Sequence, residues 1–262
     1  MNSLYLLGVM SFSDPFFVSI YEDLDGLRSE DVQYYLERAA NAEGPILDAG
    51  CGSGRLLLPM LSAGLDAYGF DASPIMIEKL EQGLIAETGA ERVWVDSLQD
   101  FPGRGLPAFS LIICTFNTFL HVLSQDEQLK VLENFYNALA PDGVLLLDII
   151  SPMRFAILDD ASELRVFEGA VTNENGDAIQ IWRWFDRDLV AQLGTYNREY
   201  RVTSKDGTER SEHSLIDFRW TFPNEMELLL RHVGFPTRDV YGDFDGGPLT
   251  ETSDVQIWRA RK

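Results

Sequence analysis

The sequence predicts an α/β protein: a doubly wound sheet of seven strands with a small antiparallel β cap inserted after the fifth. Three observations carry this expectation. From Pro45 to about Ile150, short apolar runs alternate with segments of helical periodicity, the pattern of a parallel sheet wrapped by helices. The first run, Ile46-Leu47-Asp48, meets a glycine-punctuated turn, Ala49-Gly50-Cys51-Gly52-Ser53-Gly54, that leads into a helix. From Ser151 to Trp220 the texture changes to alternating, aromatic-rich runs.

Taken in order, strand one is followed by a helix through Leu56, Leu57, Met60 and Leu61 that stops at Gly64, and strand two runs to Asp71. Ser73 and Pro74 supply an N-cap and a first-turn proline for a helix with Met76, Leu80 and Leu84 on one face. Strand three covers Arg92 to Val95. Strand four, Leu111-Ile112-Ile113-Cys114, is apolar throughout, as expected of a strand covered on both faces. Ser124 and Glu127 form a capping box for a helix carrying Leu129, Leu132, Tyr136 and Leu139, and Pro141-Asp142-Gly143 turns the chain into strand five, Val144 to Ile149. Near the C-terminus a helix opens at Pro223 and ends at Gly234, and Arg238–Tyr241 and Val255–Ala260 complete the sheet. Within the insertion, Ile179–Phe185, Tyr196–Val202 and Ser211–Trp220 read as a meander, with a Lys205-Asp206-Gly207 turn between the last two. The acidic, poorly periodic stretch Asp159–Asp177 reads as the flexible segment. The expected division is residues 1–44 as an N-terminal helical segment, 45–150 with 221–262 as the sheet domain, and 151–220 as the cap.

Charge narrows the partners. Basic residues number 21 against 42 acidic ones, for a net charge of −21, and this field repels phosphate backbones and anionic membranes. Neither nucleic acid nor membrane is expected as a partner. The N-terminus has no basic leader, and no apolar run reaches the roughly 18 residues of a membrane span. Cys51 and Cys114 sit in apolar surroundings, which suits reduced thiols in a cytoplasmic protein. A monomer or homodimer is expected.

The glycine turn brings bare backbone to the N-terminus of a helix, where main-chain N–H groups close on a nucleotide-type ligand. A dinucleotide fingerprint needs G-x-G-x-x-G, whereas here position 55 is Arg and the third glycine comes early, at Gly54. Asp71, 19 residues after Gly52, ends strand two where a carboxylate accepts both ribose hydroxyls, and Asp96 ends strand three in the same row.

At these residues the chain resembles the class I S-adenosylmethionine-dependent methyltransferases, in their small-molecule branch. Ile46 to Gly54 matches the first motif, Gly69-Phe70-Asp71-Ala72-Ser73 the second, Trp94-Val95-Asp96-Ser97 the third, and Cys114 to His121 the segment after strand four. Pro141 to Val144 and Val240 to Asp245 match later landmarks. Val95 departs from the glycine or alanine common there. The resemblance implies a Rossmann-like fold and S-adenosyl-L-methionine as cofactor, with S-adenosyl-L-homocysteine as product. It also implies roles for residues. Gly50, Gly52 and Gly54, with Cys51, bring backbone against the methionine moiety, and Asp48 supports the turn and the amino end. Asp71, with Ala72 and Met76 beside it, holds the ribose; Asp96 and the Ser97 backbone meet the adenine. Thr115, Phe116 and Asn117 turn carbonyls toward the ammonium, and Tyr21 closes over the carboxylate. The N-terminal segment lies over the cofactor, and a small-molecule acceptor is methylated on nitrogen or oxygen.

With three histidines and no i, i+4 pair among them, no metal is implied. His232, before Gly234, suits a helix C-terminus. His121 follows strand four, where cofactor and acceptor meet, and has the right chemistry for a base; packing or cofactor positioning is an equal reading. His213 is either an acceptor contact or a solvated edge, and Tyr196 and Trp220 are either acceptor contacts or sheet packing. A nicotinamide-dependent oxidoreductase and a non-catalytic cofactor-binding protein are the alternatives the residues leave open.

Overall fold

In a computed structural model, which describes residues 12, 14–25, 30–84, 90–101, 105–154, 164–173 and 175–262, the apolar runs pair into one seven-stranded sheet. The strands are β1 (Ile46–Ala49), β2 (Ala67–Asp71), β3 (Val93–Val95), β4 (Phe109–Cys114) and β5 (Leu139–Ile150), then, after the insertion, β10 (Thr237–Tyr241) and β11 (Val255–Arg261). Their order is β10-β11-β5-β4-β1-β2-β3. β1 is buried along its whole length because it lies in the middle, parallel to β2 on one side and β4 on the other. The chain winds one way from β1 to β3 and the other way from β4 onward, so a crevice opens at the carboxyl ends of β1 and β4.

Helices cover both faces. Leu57, Met60 and Leu61 of α3 (Leu57–Ser62) and Ile77 and Leu80 of α4 (Pro74–Gly83) pack on one side with Tyr34, Tyr35 and Ala39 of α2 (Glu30–Ala40). On the other side lie Val131, Leu132 and Phe135 of α5 (Gln125–Ala138) with Met226, Leu229 and Leu230 of α6 (Pro223–Val233). The expected start and stop signals operate: the Ser73 hydroxyl accepts the Met76 N–H at 3.2 Å, Pro74 is the first helical residue, and Gly234 ends α6 at φ +111°.

Three expectations are corrected. The capping box at Ser124 is half formed: its hydroxyl accepts the Glu127 N–H at 3.3 Å but donates to the Glu127 carboxylate at 2.8 Å, so that carboxylate does not reach back to backbone. The buried face of α5 is Gln128, Val131, Leu132 and Phe135, rotated from the apolar stripe read in the sequence because a fully buried glutamine belongs to it. Gln128 is admitted because the Arg219 guanidinium donates to its oxygen at 2.9 Å while its own nitrogen reaches the Val122 carbonyl at 3.2 Å.

The third correction concerns the insertion. It forms a four-stranded antiparallel sheet, β6 (Val166–Thr172), β7 (Ala178–Asp188), β8 (Leu193–Thr203) and β9 (Glu209–Arg219), in sequential order. β6 lies inside the stretch expected to be flexible; of the remainder, residues 159–163 and 174 are outside the described ones. Its pattern hid because Glu168 faces inward, where Arg198 meets it in two hydrogen bonds of 2.8 and 3.0 Å. On that inner face Ile179, Ile181, Tyr200 and Val202 pack against Phe17 and Ile20 of α1 (Pro15–Asp25).

A part-buried ion pair fastens the small sheet to the helices of the large one: Arg219 at the end of β9 bonds Glu225 of α6 at 2.6 Å. Arg219→Ala leaves the fully buried Gln128 and the half-buried Glu225 short of their shared donor, and a loss of about 3 kcal/mol is expected. The midpoint of urea unfolding, with an unchanged slope, measures it. A shift worth under 1 kcal/mol would show that the pair does not fasten the two sheets.

Candidate functional site

The crevice predicted by the winding is a cavity of about 600 Å³. Its floor is the glycine turn. Gly50 stands at φ +81°, a left-handed conformation, and a Cβ there would come within 2.3 Å of the Thr118 methyl, so the close approach of these two loops requires glycine. At Gly52 a Cβ would meet nothing within 4 Å, which makes its outer side open cavity. Gly54 serves a different purpose. Its Cβ would collide with Leu58 at 2.7 Å, so it packs helix against helix and does not line the cavity.

Three carboxylates stand around this floor, each at a strand end. Asp71 accepts the Gly52 N–H at 2.9 Å on one oxygen and the Ser73 N–H at 2.8 Å on the other, tying the glycine turn to β2. Each oxygen keeps a second lone pair for a ligand hydroxyl. Asp96, anchored by its own N–H on the Asp71 carbonyl at 3.0 Å, accepts the Ser97 N–H at 3.0 Å; the Ser97 N–H is thus already engaged. Asp48 is 2% exposed, and burial, reinforced by Asp71 and opposed by Arg55, pushes its pKa up to about 7. Phe70, Leu98 and Met76 supply apolar walls beside these acids.

The loop after β4 closes the other side. Phe116 and Asn117 both adopt left-handed backbone, at φ 55° and 68°, a strained pair that the surroundings hold. The Phe116 N–H donates to Asp148 at 2.9 Å, and the Asn117 side chain accepts the Ile150 N–H at 2.6 Å. Thr115, Phe116 and Thr118 line the cavity; Asn117 shapes the loop from behind.

His121 stands at the rim. Its Nδ1 lies 3.1 Å from the Asp217 carbonyl of β9, and since a carbonyl only accepts, Nδ1 carries the proton and Nε2 keeps a lone pair. The ring has a solvent-accessible edge yet is crowded by protein, and this crowding holds its pKa below the ordinary histidine value despite the pull of the Asp217 carbonyl and Asp71. Phe12 meets it edge-on at 5.6 Å, and the Phe12 carbonyl accepts the Ser73 hydroxyl, which brings the N-terminal segment to the cavity wall.

Of the residues singled out in the sequence, the structure gathers Asp48, Gly50, Cys51, Gly52, Asp71, Ala72, Met76, Asp96, Ser97, Thr115, Phe116 and His121 around one cavity. The Tyr21 side chain lies outside the described residues. The three cap residues do not converge. Tyr196 is on the inner face of the small sheet, where its hydroxyl donates to Glu168 at 2.8 Å. His213, paired with Glu199 across the strands, is of opposite parity to Tyr196 and exposed on the outer face, so it is a solvated edge. Trp220 is 1% exposed and stitched by its backbone to Gln192; it packs. Arg55 and Phe12 were missed, the first because it was read only as a break in glycine spacing.

The family described as a methyltransferase domain matches residues 47–145, the stretch that builds this cavity. A glycine/sarcosine N-methyltransferase of Halorhodospira halochloris is 27% identical over 263 residues, covering 94% of this chain and 87% of that protein. Another from Aphanothece halophytica is 29% identical, covering 83% and 76%. Among solved structures, a sugar N-methyltransferase from a Streptoalloteichus species has the same fold, with a TM-score of 0.74 at 18% identity over 100% of this chain and 98% of that one. The matched domain and these relatives support a class I S-adenosylmethionine-dependent methyltransferase. The nicotinamide alternative gives way to it.

The residues of this methyltransferase fit its cofactor. An open cradle at Gly52, a ribose-ready carboxylate at Asp71, a carboxylate beside an apolar slot at Asp96 and a buried acid at Asp48 match in kind a ligand with hydroxyls, an amino-purine and an ammonium. Among the described residues no group of acidic, histidine or cysteine side chains is arranged to hold a metal, and no helix is long and apolar enough to cross a membrane.

The buried acids make cofactor binding depend on pH. Burial also pushes Asp148 to about 6, so both acids are raised well above the unfolded carboxylate value. The sign follows: keeping these groups buried and neutral favours the cofactor-free fold at low pH, and this contribution is lost as pH rises through 6 and 7. A cationic ligand favours the ionised acids, so S-adenosylmethionine affinity should rise between pH 5 and 7.5, approaching tenfold per unit where one proton is released. Calorimetry in that window checks it; a flat profile would contradict the placement of Asp48 beside the ligand's cation and the coupling of Asp148 to the cavity through the Phe116 N–H.

Proposed function

We propose that this methyltransferase transfers the methyl group to the nitrogen of a small amine held at the cavity rim beside His121. The observation that carries this reading is His121, whose Nδ1 is fixed on the Asp217 carbonyl so that Nε2 presents a lone pair. The bound cofactor supplies an activated methyl carbon on a sulfonium. The chain's own residues then have three tasks. Asp71, Asp96 and the glycine turn hold the cofactor; the β4 loop and Phe12 narrow the cavity against water; and His121 Nε2 takes the proton that the acceptor nitrogen must lose. An ammonium has no lone pair to attack with, so a base of depressed pKa, neutral at physiological pH, suits an amine acceptor.

Two further observations support a small acceptor. Sequence relatives that span most of the chain are named glycine/sarcosine N-methyltransferases. A net charge of −21 opposes nucleic acid. We assign residues 151–220 to the acceptor cap, which meets the cavity rim where the Asp217 carbonyl holds His121.

The test is S-adenosylhomocysteine release with a panel of glycine, sarcosine, amino sugars, matching hydroxy analogues, an unmodified tRNA and a peptide. Turnover confined to the small amines is expected. Preference for the hydroxy analogues would move the acceptor atom to oxygen, and turnover on tRNA or peptide alone would overturn the reading.

A further inference from the structure

One face of α2 reaches both loops that shape the cofactor cavity. Asp31 and Tyr35 are four residues apart, one turn of helix, and both are buried. Asp31 grips the Arg55 guanidinium in a two-point ion pair of 2.8 and 2.7 Å. Arg55 comes from the glycine turn, and its guanidinium lies 4.7 Å over the Phe116 ring. Tyr35 donates its hydroxyl to Asp148 at 2.6 Å, and the other oxygen of Asp148 accepts the Phe116 N–H at 2.9 Å. Two separate chains of contact thus start on one helix face and meet on a single residue, Phe116, which stands in left-handed backbone at φ 55°.

Such a conformation persists only where its surroundings over-determine it. Here one chain holds the peptide N–H and the other holds the ring. Phe116 is also where the β4 loop turns into the cavity. We propose that Asp31 and Tyr35 are positioning residues that clamp Phe116, so that docking of α2 sets the direction of the β4 loop and with it the affinity for S-adenosylmethionine. Neither side chain lines the cavity; each acts through another residue.

The electrostatic surroundings make the clamp distinguishable from plain packing. Around Asp148 stand Tyr35 and Asp31 from α2, Arg55 from the glycine turn and the Cys114 thiol from β4, and Asp48 of β1 shares Arg55 and Cys114 with it as neighbours. Burial and Asp31 raise the Asp148 pKa, whereas the hydroxyl of Tyr35 opposes the rise. Removing that hydroxyl while keeping the ring therefore shifts the acidic limb of cofactor binding to higher pH, a change that loss of packing alone would not produce.

The experiment uses the full chain with Tyr35→Phe, Asp31→Asn and the double variant. S-adenosylmethionine binding is followed by calorimetry from pH 5 to 7.5, with the melting temperature recorded alongside. The expected result is a five- to thirty-fold weaker Kd at pH 7 for each single variant, an acidic limb displaced upward in Tyr35→Phe, and a double variant weaker by less than the product of the two, because both chains end on Phe116. A lowered melting temperature with unchanged Kd and an unmoved limb would overturn the clamp, as would single-variant effects that multiply. Should Tyr35→Phe fail to fold, Asp31→Asn carries the test by its Kd alone: a value within twofold of the parent overturns the proposal.

Discussion

His121→Ala is expected to lower kcat by about 100- to 10,000-fold, the range for losing a positioned general base. Cofactor affinity should stay close to that of the parent protein, because the cofactor's ribose, adenine and amino end are assigned to other residues. The pH profile sharpens the expectation. With the imidazole pKa held below its ordinary value by crowding, the parent enzyme should keep its base form into mildly acidic solution, and the acid limb of kcat should disappear in the variant. His121→Gln offers a control, since it retains an amide to meet the Asp217 carbonyl but cannot take up a proton. Wild-type kcat in His121→Gln would mean that the ring positions and does not accept a proton.

Asp71→Ala should weaken S-adenosylmethionine binding by roughly 1.5–3 kcal/mol, about 10- to 150-fold. The structure places the expectation at the upper end of that range, since Asp71 also holds the Gly52 and Ser73 N–H groups at 2.9 and 2.8 Å and its removal frees the glycine turn. Asp71→Asn should fare little better. Whichever way the amide is turned, its NH2 faces one of the two backbone N–H groups, donor against donor. Calorimetry showing an unchanged Kd for both variants would remove Asp71 from the ribose position.

The sheet and the floor of the site were legible because each is marked locally. Ser73-Pro74 announces α4, Gly234 ends α6, and the pairing of a glycine turn with acids at Asp71 and Asp96 marks the crevice. What stayed hidden depends on groups distant in sequence. Glu168 makes β6 look like a loop until Arg198, 30 residues on, neutralises it. Gln128 disturbs the apolar stripe of α5 until Arg219, 91 residues on, satisfies it. Tyr35 and Asp148, 113 residues apart, carry no local signal of their joint work on Phe116. The cap was legible as a meander but not as to facing: strand parity puts Tyr196 and His213 on opposite sides, and only the packing of Tyr200 and Val202 against Phe17 shows which side is inner.

The central claim, methyl transfer to nitrogen of a small acceptor, is tested most directly by one measurement. The protein is incubated with S-adenosylmethionine carrying a 13C methyl group and the best amine of the panel, and the product is read by NMR. The account predicts an N-13CH3 product formed one for one with S-adenosylhomocysteine, and its loss in His121→Ala. Label appearing on oxygen, in a macromolecule, or in free methanol while S-adenosylhomocysteine accumulates would contradict it.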